Sequence, residues 1–471
     1  MTKGAVEVAK ATTLWIDQLE SPVVPRPPLP GDIDVDVAIV GGGFSGLWTA
    51  YYLIRHDPSL RIAVLEREYC GFGASGRNGG WCIGELAGSF AKYAKLSNPG
   101  EALRQARAVF DTVDEVGRVA ALEGIDCDFA KGGTVRLARN APQAKRQADE
   151  IAEARSQGFT KDEIRLLSAA EARSMLNATE VRSGVFFAAT AALQPAKLVR
   201  GLASVVEAAG VKIFEQTPVA SVEDRVVRTA RGRVKAQSIV RATEAYTRDL
   251  VGERRTVLPV YSFMIATEPL PEELFAEIGL ANRSTFADDR YMVIYGQRTG
   301  DNRLAFGGTG VPYLWSSGIS EKTEFDLESH GRVHDVLVDL LPSLANTTIT
   351  HRWGGVLAIP RNWVPGLTYD QDSGLGAFGG YVGEGVAASN LAGRTMADLI
   401  TRQDTPRVSL PWVGAKARRW EPEPLRFIGV RSSRKILAAA DASEFGSDEE
   451  AKMAFQISRI LRGAWTSPRV T

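Results

Sequence analysis

The stretch from Ile33 to Glu66 constrains the fold more than any other part of the chain. Val35, Val37, Ile39 and Val40 form an apolar strand. Gly41, Gly43 and Gly46 follow as G-x-G-x-x-G, Leu47 to Arg55 carries a helical pattern, and Ile62 to Leu65 is a second apolar strand. A helix between two short apolar strands is the crossover that parallel pairing requires, so the unit reads as βαβ in a doubly wound sheet. The glycine spacing lets backbone N–H groups and the helix dipole face a pyrophosphate. Glu66 stands twenty residues after Gly46, at the end of the second strand, where a carboxylate accepts ribose hydroxyls. The pair favours dinucleotide binding over a purely structural glycine turn. Val37 to Ile54 is uncharged and nearly long enough to cross a bilayer, but Gly41, Gly42, Gly43 and Gly46 in its middle fit strand, turn and helix better.

With 471 residues the chain has room for two or three domains and a large core. It is 44% hydrophobic and 24% charged, with 56 Lys+Arg against 56 Asp+Glu. That balance excludes a disordered chain and supplies no field for nucleic acid. Cys70, Cys82 and Cys127 are too few for a disulfide framework or a thiolate metal site, and a reducing cytoplasm fits them. His330 and His334 are four apart but lack the glutamate of a metalloprotease helix, so no metal is expected and the pair reads as a solvated helix face. The polar N-terminus, with Lys3, Glu7 and Lys10, does not read as a signal peptide.

Residues 1–32 read as a short helix and a connector rich in proline, from Pro22 to Pro30. The cofactor domain is expected to be discontinuous, over 33–100, 195–256 and 350–405. Its later pieces are a helix from Pro195 to Ala209, a strand from Val211 to Phe214, a strand from Arg233 to Ala242, and a glycine-rich strand and helix from Gly374 to Ile400. Segments 101–194 and 257–349 form a second domain. It has a helix near Glu101 to Leu122, a strand from Thr134 to Ala138, charged helices from about Pro142 to Leu176, and strands at Tyr261 to Ile265, Tyr291 to Tyr295 and Arg303 to Phe306. Residues 406–471 are a C-terminal extension with turns and one helix.

A second glycine run, GFGASGRNGG from Gly71 to Gly80, holds five glycines directly after the second strand, where a bound dinucleotide would extend across the sheet. Together with GGGFSG and the late GAFGGYVGEGVAASNLAG, it resembles the D-amino-acid oxidase and sarcosine oxidase superfamily of FAD enzymes, closest to the γ-glutamylputrescine oxidase-like members. The resemblance spans about residues 33–405, and the tail around WEPEPLRFIGV is similar too. It implies an α/β fold, α+β overall: a Rossmann-type FAD-binding domain, glutathione-reductase-like, with a mixed antiparallel-sheet substrate domain over the flavin.

Carried over by position, Gly41, Gly43, Ser45 and Gly46 hold the pyrophosphate, and Glu66 and Arg67 the adenosine side. Val219 meets the adenine through its backbone. Ala74, Ser75, Gly76, Arg77, Asn78, Gly79 and Gly80 lie beside the ring; Gly379, Gly380, Tyr381, Gly383, Gly385 and Val386 lie at its pyrimidine end. The helix that starts after Glu384 offers its N-terminus to the charge of a reduced flavin. Neither RWGGVLAIP nor ASGRNGG contains the Cys or His that tethers flavin in such relatives, so the FAD is expected to be noncovalent.

The implied reaction is oxidation of a C–N bond in a primary or secondary amine by hydride transfer. The resulting imine hydrolyses to an aldehyde or ketone, and oxygen or another acceptor takes the electrons. Tyr295, Arg298, Arg303, Trp81 and Trp353 are candidates to orient the substrate, and Glu384 to attract a cationic amine. Two departures bear on this. Sarcosine oxidases carry Gly-His-Gly-Phe-Lys where this chain reads Gly383, Glu384, Gly385, Val386, Ala387, which argues against a small amino acid as substrate. Ala305 aligns with the lysine those relatives use in oxygen reduction, which argues against oxygen as the fast acceptor. The alternatives are an NAD-dependent dehydrogenase built on the first βαβ unit alone, and a nonenzymatic flavin-binding module.

Overall fold

The computed structural model describes residues 3–309, 313–449 and 451, so the end of the C-terminal extension, 452–471, lies outside the described residues. The first unit forms as its pattern dictates. Strand Ile33–Val40 lies between Gly232–Arg241 and Ile62–Leu65, parallel to both, and Lys212–Phe214 continues the sheet beyond Ile62–Leu65. On the other side Leu375–Gly379 pairs parallel to Gly232–Arg241, and Gly366–Asp370 closes that edge as an antiparallel strand. The hairpin strands Val219–Glu223 and Val226–Thr229 extend from Gly232–Arg241.

Helices Phe44–His56, Pro195–Ala208 and Gly385–Ile400 cover one face of this sheet. Phe44–His56 and Gly385–Ile400 approach closely at Gly393, where a Cβ would lie 2.7 Å from the Trp48 Cβ. The opposite face buries Val35, Ala38, Val40, Ala63 and Leu65 under the hairpin and Leu29. Apolar residues on both faces explain why these strands read as continuous hydrophobic runs.

The second sheet has eight strands in the order Ile349–Pro360, Val257–Thr267, Leu304–Thr309, Ile294–Arg298, Thr285–Asp288, Thr134–Ala138, Ser183–Phe187, Ile164–Ser168. Its pairs are antiparallel except Thr285–Asp288 with Thr134–Ala138. Alternation along Val257–Thr267 sends Tyr261, Phe263 and Ile265 into the core with helix Leu327–Leu340, and Val260, Ser262 and Met264 to the face toward the first domain.

Three expectations need correction. Ile164–Ser168 is a strand inside the segment that reads as charged helices; only Ile164 and Leu167 are buried there, too few for a clear pattern. Ile349–Pro360 pairs along its length with Val257–Thr267, so the return to the cofactor sheet begins only after Pro360. His330 and His334 are buried; the His330 ring nitrogens lie 2.8 Å from the Asp326 carbonyl and 3.0 Å from the Trp353 carbonyl.

The proline-rich connector is anchored through the few N–H groups its prolines leave. Glu215, fully buried, accepts the Arg26 N–H at 2.5 Å, the Arg26 guanidinium at 3.1 Å and the Cys70 N–H at 2.8 Å, and the Thr217 hydroxyl accepts the Leu29 N–H at 3.0 Å. Glu215→Ala leaves the Cys70 and Arg26 N–H groups without their acceptor and takes from the Arg26 guanidinium one of its two carboxylates, Glu207 being the other, and is expected to cost about 3 kcal/mol in urea unfolding. A loss under about 1 kcal/mol would show that the connector is not held this way.

Candidate functional site

A cavity of about 800 Å³ lies between the two sheets, entered at the C-terminal ends of the parallel strands. Its first end is shaped by what glycine permits. Gly41 has φ +114°, and a Cβ there would sit 2.4 Å from the Ala242 carbonyl oxygen, so only glycine lets these two strand ends close up. Gly41, Gly43 and Ser45 line the cavity. Gly46 does not; a Cβ there would lie 2.1 Å from the Gly41 carbonyl oxygen, so its absence lets the helix pack over that carbonyl. The Ser75 hydroxyl accepts the Phe44 N–H at 2.8 Å and ties the second glycine run to the first.

Glu66 lines the same end, and its two oxygens accept the Gly42 N–H at 2.7 Å and the Glu68 N–H at 3.0 Å. Enclosure pushes this carboxyl above its usual range, and the two backbone donors pull it back. A carboxylate fixed by both oxygens keeps lone pairs for hydroxyl donors, the chemistry a ribose needs. Val219 and Arg67 complete the wall, with the Arg67 guanidinium 4.5 Å from the centre of the Tyr246 ring.

Ala74, Ser75, Arg77, Asn78 and Gly79 form the middle of the cavity; Gly76 and Gly80 turn away, each packed where a Cβ would meet a backbone carbonyl. Arg77 is held by the Phe72 carbonyl at 2.7 Å and by an ion pair with Glu324. Tyr295 lines the opposite wall against Gly79 and meets Trp81 edge to face, with ring centres 6.0 Å apart. The Tyr295 hydroxyl lies 2.6 Å from the Ser262 hydroxyl, which donates to the Gly308 carbonyl at 3.2 Å. Burial raises the Tyr295 phenol to about 12.

Tyr381, Gly383, Glu384, Gly385 and Val386 bring the start of helix Gly385–Ile400 to the same wall, and the Tyr381 and Ser45 hydroxyls lie 2.9 Å apart. Gly379 and Gly380 do not line the cavity. They turn with φ +145° and +74°, and the Gly380 N–H donates at 2.7 Å to Glu244. Glu244 also accepts the Ala358 N–H at 3.2 Å, and so ties the late glycine loop to the second sheet. Burial raises its carboxyl to about 7. Nothing in its residue type marks Glu244; its position just past a parallel strand, at the ligand end of the sheet, is the signal that finds it.

Three orienting candidates, Arg303, Trp353 and Arg298, lie elsewhere. Arg303 is pinned outside the cavity by Asp301, the Thr267 carbonyl and the Thr350 hydroxyl. Trp353 is fully buried behind the wall, with its indole donating to the Arg77 carbonyl at 2.9 Å. Arg298, bound to Asn302 and Glu272, also faces away. Sequence reasoning missed the far end of the cavity. Arg136, Arg146, Glu150, Asp289 and Tyr291 line it, and Glu444 of helix Leu425–Ser447 accepts from two Arg146 guanidinium nitrogens, at 2.8 and 3.0 Å.

A parallel sheet whose first strand ends in a glycine pinch at a helix N-terminus, a carboxylate at the end of the second strand and an antiparallel sheet across one continuous cavity have the form of a dinucleotide-dependent oxidoreductase. The FAD dependent oxidoreductase (DAO) family profile matches residues 36–399, and the chain belongs to that family. It is an FAD-dependent oxidoreductase, which removes the nicotinamide and nonenzymatic alternatives. It is 31% identical over 390 residues to Haemophilus influenzae "Probable oxidoreductase OrdL", covering 80% of this chain and 85% of that one. It is 28% identical over 384 residues to Escherichia coli gamma-glutamylputrescine oxidoreductase, with the same coverage of 80% and 85%. In fold it is similar to glycine oxidase from Geobacillus kaustophilus, with TM-score 0.66, 21% identity, and 79% and 96% of the two chains covered. No helix among the described residues is long and apolar enough to cross a membrane.

Gly43→Asp sets a carboxylate in the cradle, and is expected to abolish FAD retention in the purified protein; full occupancy would refute the cradle. Glu244 makes a second, pH-dependent prediction. Because its folded carboxyl sits at about 7 against an ordinary 4.5, its contribution to stability is complete below pH 4.5 and lost as pH rises through about 7. Melting curves of Glu244→Gln should therefore lack a decline between these pH values that the unsubstituted protein shows. Identical slopes would refute the shift.

Proposed function

We propose that the chain oxidises the C–N bond of a primary or secondary amine, or of an amine-bearing amino-acid derivative, to an imine that hydrolyses to a carbonyl compound. Gly41, Gly43, Ser45 and Glu66 hold the nucleotide half of a noncovalent FAD, with Arg67 and Val219 at the adenosine end. Residues 74–79 and the start of helix Gly385–Ile400 border its ring, behind which Gly46, Gly76, Gly80, Gly379 and Gly380 shape the backbone. Bound FAD supplies the two-electron acceptor, and oxygen or another acceptor takes the electrons onward.

The Tyr295 hydroxyl chain carries this reading. The arrangement in which Ser262 gives its proton to the Gly308 carbonyl and Tyr295 donates its own to Ser262 leaves the phenol oxygen as an acceptor on the cavity wall. An acceptor there selects a substrate N–H. With its ionisation raised to about 12, Tyr295 keeps this polarity across the neutral range. Glu384, on the same wall, adds negative potential that draws an ammonium group toward the cavity. The helix N-terminus at Gly385 offers fixed N–H dipoles for negative charge that develops during turnover. Burial by both sheets excludes water from the reacting C–H.

Anaerobic mixing of the yellow protein with alkylamines, acylated diamines and N-methyl amino acids tests the reaction class. At least one amine should bleach the flavin absorbance, whereas bleaching by 2-hydroxy acids alone would defeat the assignment. Tyr295→Phe should lower kcat/KM for that amine about tenfold, the worth of one buried hydrogen bond, with FAD content unchanged.

A further inference from the structure

We propose that Trp15, ahead of the family-matched segment, is a positioning residue for the cofactor. Its indole N–H fixes the Asn78–Gly79 peptide so that the Gly79 N–H faces the cavity and donates to the ring system of bound FAD. The proposal rests on the placement of residues 74–79 beside that ring.

Two consecutive carbonyls of the loop are held from behind. Trp15 Nε1 donates to the Asn78 carbonyl at 2.8 Å, and Trp353 Nε1 donates to the Arg77 carbonyl at 2.9 Å. The two buried indoles meet edge to face, with ring centres 6.0 Å apart, so consecutive carbonyls of the loop are drawn to one buried platform behind it. In a trans peptide the N–H points opposite the C=O of the same unit. Among the described residues the cis bond is Glu423–Pro424, so the Asn78–Gly79 unit is trans. With the Asn78 carbonyl drawn back to Trp15, the Gly79 N–H points forward, and Gly79 lines the cavity.

The neighbouring N–H groups are committed elsewhere. Asn78 donates to the Ala74 carbonyl at 3.1 Å and Gly80 to the Asn78 side chain at 2.8 Å. Among the described residues no acceptor takes the Gly79 N–H. A backbone donor on the wall of a largely enclosed cavity calls for a partner, and a ligand ring with acceptor nitrogen and oxygen atoms supplies one. Trp15 is itself held firmly. Thr13 caps its helical turn by accepting the Ile16 N–H at 3.0 Å, and Gln194 donates to the Trp15 carbonyl at 2.7 Å.

The test compares flavin spectra and FAD retention of three holoenzyme variants. Trp15→Phe keeps an aromatic ring and deletes the N–H; it should weaken FAD retention about five- to tenfold and shift the visible flavin bands. Should that variant not fold, benzothienylalanine at position 15 exchanges the N–H for sulfur at constant ring size, with the same expectation. Leu14→Ala opens a void in the same apolar cluster and spares the indole; it should lower the melting temperature and leave the flavin bands in place. Gly79→Ala forces the loop away from Tyr295, where a Cβ would lie 2.6 Å from the ring, and should shift the bands. Unchanged bands and retention in Trp15→Phe beside shifted bands in Gly79→Ala would overturn the proposal alone. Unchanged bands in both would overturn the placement of the loop as well, and bands shifted by Leu14→Ala as much as by Trp15→Phe would reduce Trp15 to a packing role.

Discussion

The site depends on one close approach of backbone. The Gly41 Cα faces the Ala242 carbonyl with no room for a side chain, so the ends of strands Ile33–Val40 and Gly232–Arg241 close together, and the helix starting at Phe44 opens directly onto the cavity. Gly46, packed over the Gly41 carbonyl, sets the angle at which that helix leaves. Had either position carried a Cβ, the strand ends would separate and the first-turn N–H groups would no longer converge. Every later element is placed relative to this pinch. Ser75 ties in the second glycine run, Tyr381 reaches Ser45 from the late loop, and Glu244 ties that loop to the sheet opposite.

The two ends of the cavity are built by different means. The end built by Gly41, Gly43 and Glu66 is backbone and one carboxylate, fixed largely by a contiguous stretch of sequence. The other end is assembled from side chains on strands Val257–Thr267 and Ile294–Arg298 and helix Ala141–Ser156, which meet only after the whole chain has folded. Charge is handled accordingly. Arg146 reaches the cavity wall with its guanidinium matched by Glu444, and Arg136 is matched by Glu150 and Asp289, so these two guanidinium groups meet the cavity as paired ions.

That division decides what the sequence makes legible. The first βαβ unit follows from hydrophobic runs and glycine spacing because both are local, and strands Ile62–Leu65 and Thr134–Ala138 fall where the apolar pattern puts them. The late strand and helix are readable for the same reason. Arg303 and Trp353 show the limit. Residue type and strand register make both plausible at a site, but the Arg303 turn supplies three acceptors of its own, and Trp353, although on the same face as its cavity-lining pair Met264, is covered by the loop whose Arg77 carbonyl takes its indole N–H. Glu444 leaves no local trace, and Glu244 only its place just past a parallel strand, since each acts through backbone or side-chain partners more than a hundred residues away.

Ala305 connects the N-terminal segment to the chemistry. The family resemblance aligns it with a lysine that assists oxygen reduction, yet here it is fully buried in a cluster with Leu14, Trp15, Met264 and Trp353. A lysine at this position would place an ammonium among apolar side chains without a counter-ion, a cost of several kcal/mol that the cluster offers no means to offset. The small residue and the N-terminal tryptophan therefore belong together. Alanine leaves the apolar contact surface against which Trp15 and Trp353 pack, and the two indoles hold the Asn78 and Arg77 carbonyls of the second glycine run from behind, so a side chain of lysine length at this position would displace the donors that fix that run.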